Sequence, residues 1–348
     1  MKKGFALVMA SMMALSLTAC GGNASSATTA ADTSAADTKA EGTTAAASAD
    51  KIGLAGSGKE LIFTTGGDQG TYYGFGSVLA GQISDMTDTT VTAIVGKGSK
   101  GNIEAMDAGD AQLGFVQSDV MAYAYNGTNL FDGAKVDGFS TVAALYMEQV
   151  QIVTLNPDIK TVADLKGKTV SVGDSGSGVY FNALDCLGAY GLTIDDITPT
   201  YQSFGDSVEA MQDGKIDAAF IVAGAPTTAV TSLAATRKVY LVELDDEHID
   251  KLIETSPYYS KYTIAKDAYG LDADATTVAV GAVVVARDDV DENDIYNVVA
   301  GIYDSIDTLG HDKKNELDLD FAASVTAVPY HKGAAKYFAE KGLTVPTK

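Results

Sequence analysis

From residue 59 onward, short β-branched runs alternate with stretches of helical periodicity. Leu61–Thr65, Val91–Val95, Leu113–Gln117, Thr169–Gly173 and Ala218–Val222 are apolar runs of strand length bounded by Gly, Asp or Ser. Ser140–Leu145, Val150–Leu155, Thr198–Gln202, Val239–Leu244 and Val278–Ala286 read the same way. Between many of them the apolar positions recur every three or four residues, as in Tyr180–Tyr190, Ser207–Gln212 and Ile295–Leu309. Strand–helix alternation predicts an α/β architecture with mostly parallel sheets.

The pattern repeats within the chain. Glu104-Ala105-Met106-Asp107-Ala108-Gly109, followed by Leu113–Val116, resembles Glu209-Ala210-Met211-Gln212-Asp213-Gly214, followed by Ala218–Ile221. Each reads as a helix end, a glycine C-cap and a strand. Upstream, Gly70-Thr71-Tyr72 resembles Gly178-Val179-Tyr180 at nearly the same offset. Two features in one order at one spacing predict two pseudo-symmetric lobes. In such sheets ligands sit beyond the carboxyl ends of strands. Those ends carry Thr65–Tyr73 in one half and Gly173–Gly178 in the other. Glycines admit close backbone approach, and the helix that follows presents free N–H groups to an anion.

The N-terminal segment has a different pattern. Lys2 and Lys3 precede an apolar run from Phe5 to about Leu17 that is too short to span a bilayer. It ends in small residues before Cys20, as a bacterial lipobox does. Residues 1–19 are therefore expected to be a signal peptide and Cys20 the lipid-bearing N-terminus. Residues 20–58 are mostly Ala, Ser, Thr, Gly and Asp. They are expected to form a disordered tether, because so little apolar surface cannot offset the entropy of ordering. The body is expected to lie outside the cytoplasm at the bacterial cell membrane.

Composition narrows the chemistry. Among 348 residues, 24 Lys+Arg stand against 46 Asp+Glu, a formal charge of −22, which argues against nucleic-acid binding. The only arginines are Arg237 and Arg287, so an arginine-lined anion site is not expected. Two cysteines make no disulfide framework, and His248, His311 and His331 have no metal-ligand spacing. No Gly-x-Ser-x-Gly elbow is present. Neither an enzyme, a metal nor a cofactor is expected.

Several motifs taken together resemble the TAXI family, the solute receptors of TRAP transporters. They are Thr65–Tyr73, Gly98-Ser99-Lys100-Gly101-Asn102-Ile103, Phe115-Val116-Gln117-Ser118-Asp119 and Leu145-Tyr146-Met147-Glu148. Asp164–Lys168, Val172–Gly178, Gly224-Ala225-Pro226 and Val328–Ala334 complete the series. Met147 and Lys332 stand where that family usually has proline. The resemblance implies a two-lobed periplasmic-binding-protein fold of type II with two crossing strands. These are expected near Val150–Leu155 and Val278–Ala286, giving one lobe of residues 59–150 plus 278–348 and another of 151–277. It further implies a monomeric receptor that captures a small organic anion or amino acid, of the glutamate, glutamine or dicarboxylate kind, for a TRAP-type permease. A sensor or adhesin lipoprotein of the same fold is the alternative.

The candidate ligand-binding residues follow from the strand ends. Gly67, Gln69, Gly70, Tyr72 and Tyr73 belong to the first loop, with one tyrosine expected at the ligand. Ser99 and Asn102 open the next helix, where Ser99 also reads as a cap. Gln117 and Ser118 end a buried strand. Ser175, Gly176, Ser177 and Gly178 form the second glycine loop, suited to a carboxylate. Ala225 and Pro226 follow another strand, with Pro226 expected to start a helix. Lys97 and Lys100 read as solvated charges. Asp206–Glu209 reads as a capping box, Cys186 as a buried apolar residue and His331 as structural.

Overall fold

The computed structural model describes residues 51–348. The expected signal peptide, Cys20 and the expected tether as far as residue 50 lie outside the described residues; residues 51–58, expected to belong to that tether, are instead bonded to the body, where the Ile52 N–H donates to the Met86 carbonyl at 2.8 Å and the Leu54 N–H to Asn297 Oδ1 at 2.7 Å. Ten strands form one sheet: β1 Glu60–Thr64, β2 Thr90–Ile94, β3 Leu113–Gln117, β4 Phe139–Thr154, β5 Thr169–Ser171, β6 Thr198–Thr200, β7 Ala218–Ala223, β8 Tyr240–Val242, β9 Ser260–Ile264 and β10 Ala275–Arg287. The α-helices are α1 Thr71–Met86, α2 Ser99–Asp107, α3 Ser118–Asn126, α4 Val179–Ala189, α5 Phe204–Gln212, α6 Thr228–Ala234, α7 Asp246–Thr255, α8 Glu292–Tyr303, α9 Leu319–Ala322 and α10 Lys332–Glu340.

The strand order β2-β1-β3-β10-β4-β7-β5-β6 reads the same from both ends. In one lobe β2, β1 and β3 are parallel and β10 runs antiparallel beside β3. In the other β6, β5 and β7 are parallel and β4 runs antiparallel beside β7. The repeat seen in the sequence is therefore a repeat of topology. This is the two-lobed α/β fold, with β4 and β10 passing between the lobes.

These two strands explain a departure from the sequence pattern. Two strands were expected at 140–145 and 150–155, separated by the polar pair Glu148-Gln149. They are one strand of 16 residues, about 50 Å at roughly 3.4 Å per residue. Over Phe139–Gln149 it pairs with β10, with register shifts between Ala282 and Val283 and between Val284 and Val285, and over Gln149–Thr154 it pairs with β7. The polar residues sit where the strand crosses from one core to the other. Apart from half-buried Met147, every residue of β4 is buried, as for a strand covered on both faces.

Each lobe has a core on both faces of its half-sheet. Phe63, Phe75, Leu79, Tyr146 and Val299 belong to one cluster and Met106, Val116, Phe131 and Val285 to another. In the second lobe Val170, Leu187, Phe220 and Val280 form one and Met211, Ile221, Leu233 and Ile264 the other. Cys186 is a free thiol in this lobe's core. Burial pushes its pKa up and keeps the thiol protonated.

Three local expectations change. The box at Asp206 is not the helix start: Ser203 caps α5 and accepts from the Asp206 N–H at 3.1 Å, so the helix begins a turn earlier. Pro226 does not open a helix. Its bond to Ala225 is cis, and α6 begins at Thr228 behind Thr227. The helix expected over Ile295–Leu309 ends at Tyr303 and is followed by a short 3-10 turn at Ile306–Thr308.

Candidate ligand-binding cleft

Four loop-to-helix junctions converge between the lobes. From the first lobe come Gly66–Tyr72 entering α1 and Gly96–Ser99 entering α2; from the second come Asp174–Val179 entering α4 and Ser203–Gly205 entering α5. The strand ends Gln117, Val222 and Ala223 and the crossing residue Glu148 complete the lining. The enclosed space is about 80 Å³ for water-sized spheres, against roughly 10–15 Å³ for a single water. Helix N-termini leave N–H groups unpaired and carry partial positive charge, so their convergence favours an anion without any arginine.

The lobes touch around the cavity. Gly101 donates its N–H to the Gly176 carbonyl at 2.9 Å, and Ala229 donates to the Gln69 carbonyl at 3.2 Å. The Thr71 hydroxyl donates to the Gly224 carbonyl at 3.0 Å. Lys313, pinned by Glu316, donates to the Ala225 carbonyl at 3.2 Å. Deeper in, Phe181 of α4 stacks on Tyr123 and Phe131 at 5.7 and 6.4 Å. The structure is thus a closed form.

Two glycines are required by this geometry. Gly98 precedes α2 at φ +85°, a conformation that suits glycine. Gly178 has ordinary dihedrals, but a Cβ there would stand 1.6 Å from Gln117 Oε1 and 2.8 Å from Ser99 Oγ.

Several buried polar atoms at the cavity have no hydrogen-bond partner: Tyr72 OH, Gln117 Oε1, Glu148 Oε2 and Ser177 Oγ. Buried polar groups are nearly always paired, and each unpaired one costs about 1–3 kcal/mol. Four of them lining one cavity mark the place of a polar ligand. Burial pushes the Glu148 carboxyl up to about 8; Asp119 adds to the rise, while Tyr72 and Lys313 oppose it. The Tyr72 phenol is held well above its usual range by burial and then by Glu148. Its ring stacks on Phe115 at 4.6 Å.

Of the residues named from sequence, Gly67, Gln69, Gly70, Tyr72, Ser99, Gln117, Ser177 and Gly178 line the cavity. The others lie outside it. Tyr73 is the neighbour of Tyr72 that turns away along α1. Asn102 is spent on structure: its amide donates to the carbonyls of Thr65 and Phe115 at 2.6 and 2.7 Å and accepts from Thr64. The Ser118 hydroxyl accepts from the Gly281 N–H at 3.0 Å. Ser175 and Gly176 face a separate depression with Lys100 and Tyr201. Ala225 is tied to Gln149 at 2.6 Å, and Pro226 follows it. Ser99 is not the cap but the first residue of α2, and its oxygen accepts from the Gln117 N–H at 3.1 Å. His331 caps α10.

Sequence reasoning missed Glu148, Ser203 and Phe204. Glu148 carried a signal. It is a charged residue inside a run that is otherwise apolar enough for a doubly covered strand.

A sheet of this order with a cleft at its strand ends defines a solute-binding protein fold. The sequence profile of the NMT1-like family matches residues 63–342, and the chain belongs to that family. This corrects the resemblance to the TAXI receptors of TRAP transporters, which rested on short glycine and tyrosine motifs and not on a match along the whole chain. A stretch of 70 residues is 43% identical to a putative aliphatic sulfonates-binding protein of Escherichia coli (strain K12), covering 20% of this chain and 22% of that protein. The match thus spans about a fifth of that relative's length. Among solved structures, one described as a periplasmic transporter shares the fold with a TM-score of 0.50 at 14% identity, covering 82% of this chain and 93% of that one. The alkanesulfonate-binding protein SsuA from Xanthomonas axonopodis pv. citri, bound to MOPS, aligns over 82% of this chain and 85% of its own with a TM-score of 0.48 and 17% identity.

Proposed function

We propose that the protein is an extracytoplasmic solute receptor that closes two lobes over a small organic anion or amino acid and presents it to a membrane permease. The closed cavity ringed by helix N-termini, with four buried polar atoms awaiting partners, carries this reading. Residues 59–150 plus 278–348 and residues 151–277 are the two moving bodies, hinged on β4 and β10. In this reading the cleft residues bind and orient the ligand. The partner in this reading is an ABC-type permease in place of the TRAP-type one, in keeping with the family matched. Lipid on Cys20 would hold the receptor at the membrane. Among the described residues no helix is long and apolar enough to cross it.

The test is a thermal-shift screen of residues 51–348 against amino acids, carboxylates and sulfonates. A ligand at a hundredfold excess over its Kd is expected to add about 2.7 kcal/mol of stability. Small-angle scattering is expected to show a smaller radius on binding, because a ligand bridging both lobes favours the closed form. A screen in which no compound raises Tm would sink the receptor reading.

A further inference from the structure

The cavity holds an acceptor that an anion cannot satisfy. Gln117 is oriented by a relay running out of the second lobe. Tyr259 donates its hydroxyl to Asp185 at 2.9 Å and so accepts from the Asn182 amide at 2.7 Å. The same amide nitrogen donates to Asp119 at 3.1 Å. Asn182 Oδ1 is then left to accept from Gln117 Nε2 at 2.8 Å. This polarity turns Gln117 Oε1, an acceptor only, toward the cavity with no donor facing it. Glu148 Oε2 is the second unpartnered oxygen, on the crossing strand. Gln117 pairs with Ala282 and Glu148 with Val280, so one strand separates them. With the two-residue offset along β10, that is roughly 12 Å between backbones at about 4.8 Å per strand and 3.4 Å per residue, a gap that two side chains and one small ligand close.

We propose that Gln117 and Glu148 form an ammonium subsite, so that the ligand is a small zwitterion whose anionic group rests on the helix N-termini and whose amine lies between these two side chains. The inference rests on the receptor reading and sharpens its substrate class. An ammonium supplies three donors and the opposite charge, while Ser177 Oγ remains free to donate to the anionic group. Burial, with its carboxyl at about 8, keeps Glu148 largely protonated in the empty site at pH 7. The charges facing it are Asp119 from α3, which raises it, and Lys313, which lowers it while itself paired to Glu316; the Tyr72 and Tyr146 phenols also face it. When the ammonium arrives the carboxyl ionises, its proton leaves to solvent, and the pair forms. Binding therefore releases a proton near neutral pH.

The experiment uses pairs of probes that differ only in an amine, L-glutamate with glutarate and 2-aminoethanesulfonate with ethanesulfonate, within a wider panel of amino acids and aminosulfonates and their deamino counterparts. Calorimetry at pH 7 in two buffers of different ionisation heat reads both affinity and protons. The amine-bearing member of the binding pair is expected to bind roughly a hundredfold more tightly and to release up to about one proton, with the release shrinking as pH rises through the carboxyl's titration. Glu148→Gln, nearly the same in shape, is expected to remove both the preference and the release. Equal binding of the deamino acids, proton uptake with them, or an unchanged preference in Glu148→Gln would overturn the subsite and leave the receptor reading standing. No binding by any acid in the panel, with or without an amine, would sink both.

Discussion

The two lobes share one topology and fill the same places around the cavity with different chemistry. At the end of β3 the first lobe sets Gln117; at the equivalent end of β7 the second sets Val222 and Ala223. Where α2 begins with Ser99, α5 begins with Phe204. The first lobe and the crossing strand thus hold Tyr72, Ser99, Gln117 and Glu148, while the second brings mainly an apolar cover and the hydroxyls of Ser177 and Ser203. Duplicated backbone geometry supplies helix N-termini from both sides. Specificity is concentrated on one side, so a ligand can dock on the open first lobe before the second covers it.

The largest test of this asymmetry uses its equivalent glycines, Gly70 before α1 and Gly178 before α4. A Cβ on Gly178 would collide with Gln117 Oε1 at 1.6 Å, whereas one on Gly70 meets its nearest atoms at 3.3 and 3.4 Å. Gly178→Ala is expected to lower affinity by roughly a hundredfold or more, because the lobes cannot close without displacing the oriented Gln117. Gly70→Ala is expected to cost less than about tenfold. Circular dichroism and melting curves check that each folds, and calorimetry reads the rest. Equal losses at the two positions would erase the asymmetry.

Next in size is the hydroxyl in the second loop. Ser177→Ala removes a donor whose oxygen is buried and has no protein partner in the cleft. Losing it is expected to weaken binding by roughly ten- to a hundredfold, the equivalent of about 1–3 kcal/mol for a ligand oxygen left unpaired. The empty protein, relieved of an unpaired hydroxyl, is expected to melt no lower. A drop in Tm without a drop in affinity would make Ser177 structural.

How much of this was legible in the chain depends on whether an element's cause was local. The glycine loops, the strand ends and the repeat follow from composition and spacing, and they brought Gly67, Gly70, Ser177 and Gly178 to the cleft. The choice between Tyr72 and Tyr73 required the direction in which α1 leaves the sheet. Asn102 and Ser118 are polar residues at the right elements, but backbone groups distant in sequence absorb them, at Thr65, Phe115 and Gly281. Glu148 was hidden for the opposite reason. Its polarity reads as a strand break until both cores are seen to share one strand.

The acidic groups of the first lobe and the crossing strand give a third test. Burial raises Glu148 to about 8 and Asp119 to about 7 in the folded protein, from ordinary values of 4.5 and 3.8. The folded state therefore holds these protons after the unfolded chain has lost them. Their contribution to stability is full below the ordinary values and declines as pH rises toward the folded ones, by up to about 1.4 kcal/mol per pH unit for each group. Empty wild-type protein is expected to lose stability between about pH 4.5 and 8, and Glu148→Gln to show a shallower decline there. Parallel curves for the two proteins, from denaturant titrations across that range, would show that Glu148 does not titrate as its burial requires.

The smallest expected effect comes from the lysines at the rim of the first lobe. Lys97 lines the mouth of the cavity and is exposed, while Lys100 lies on α2 and pairs with Glu104. Helix N–H groups are fixed by the backbone and buried with the ligand, whereas an exposed ammonium acts through water and salt. Lys97→Ala is accordingly expected to weaken binding only about two- to threefold at low ionic strength and to leave it unchanged near 0.15 M salt, where the screening length is about 8 Å. Lys100→Ala is expected to do less, since Glu104 already offsets its charge. Calorimetry at two salt concentrations decides. If Lys97→Ala abolished binding at both while Ser177→Ala left it intact, the anion would be held by a point charge at the rim, and the fixed donors of the two loops would be scaffolding alone.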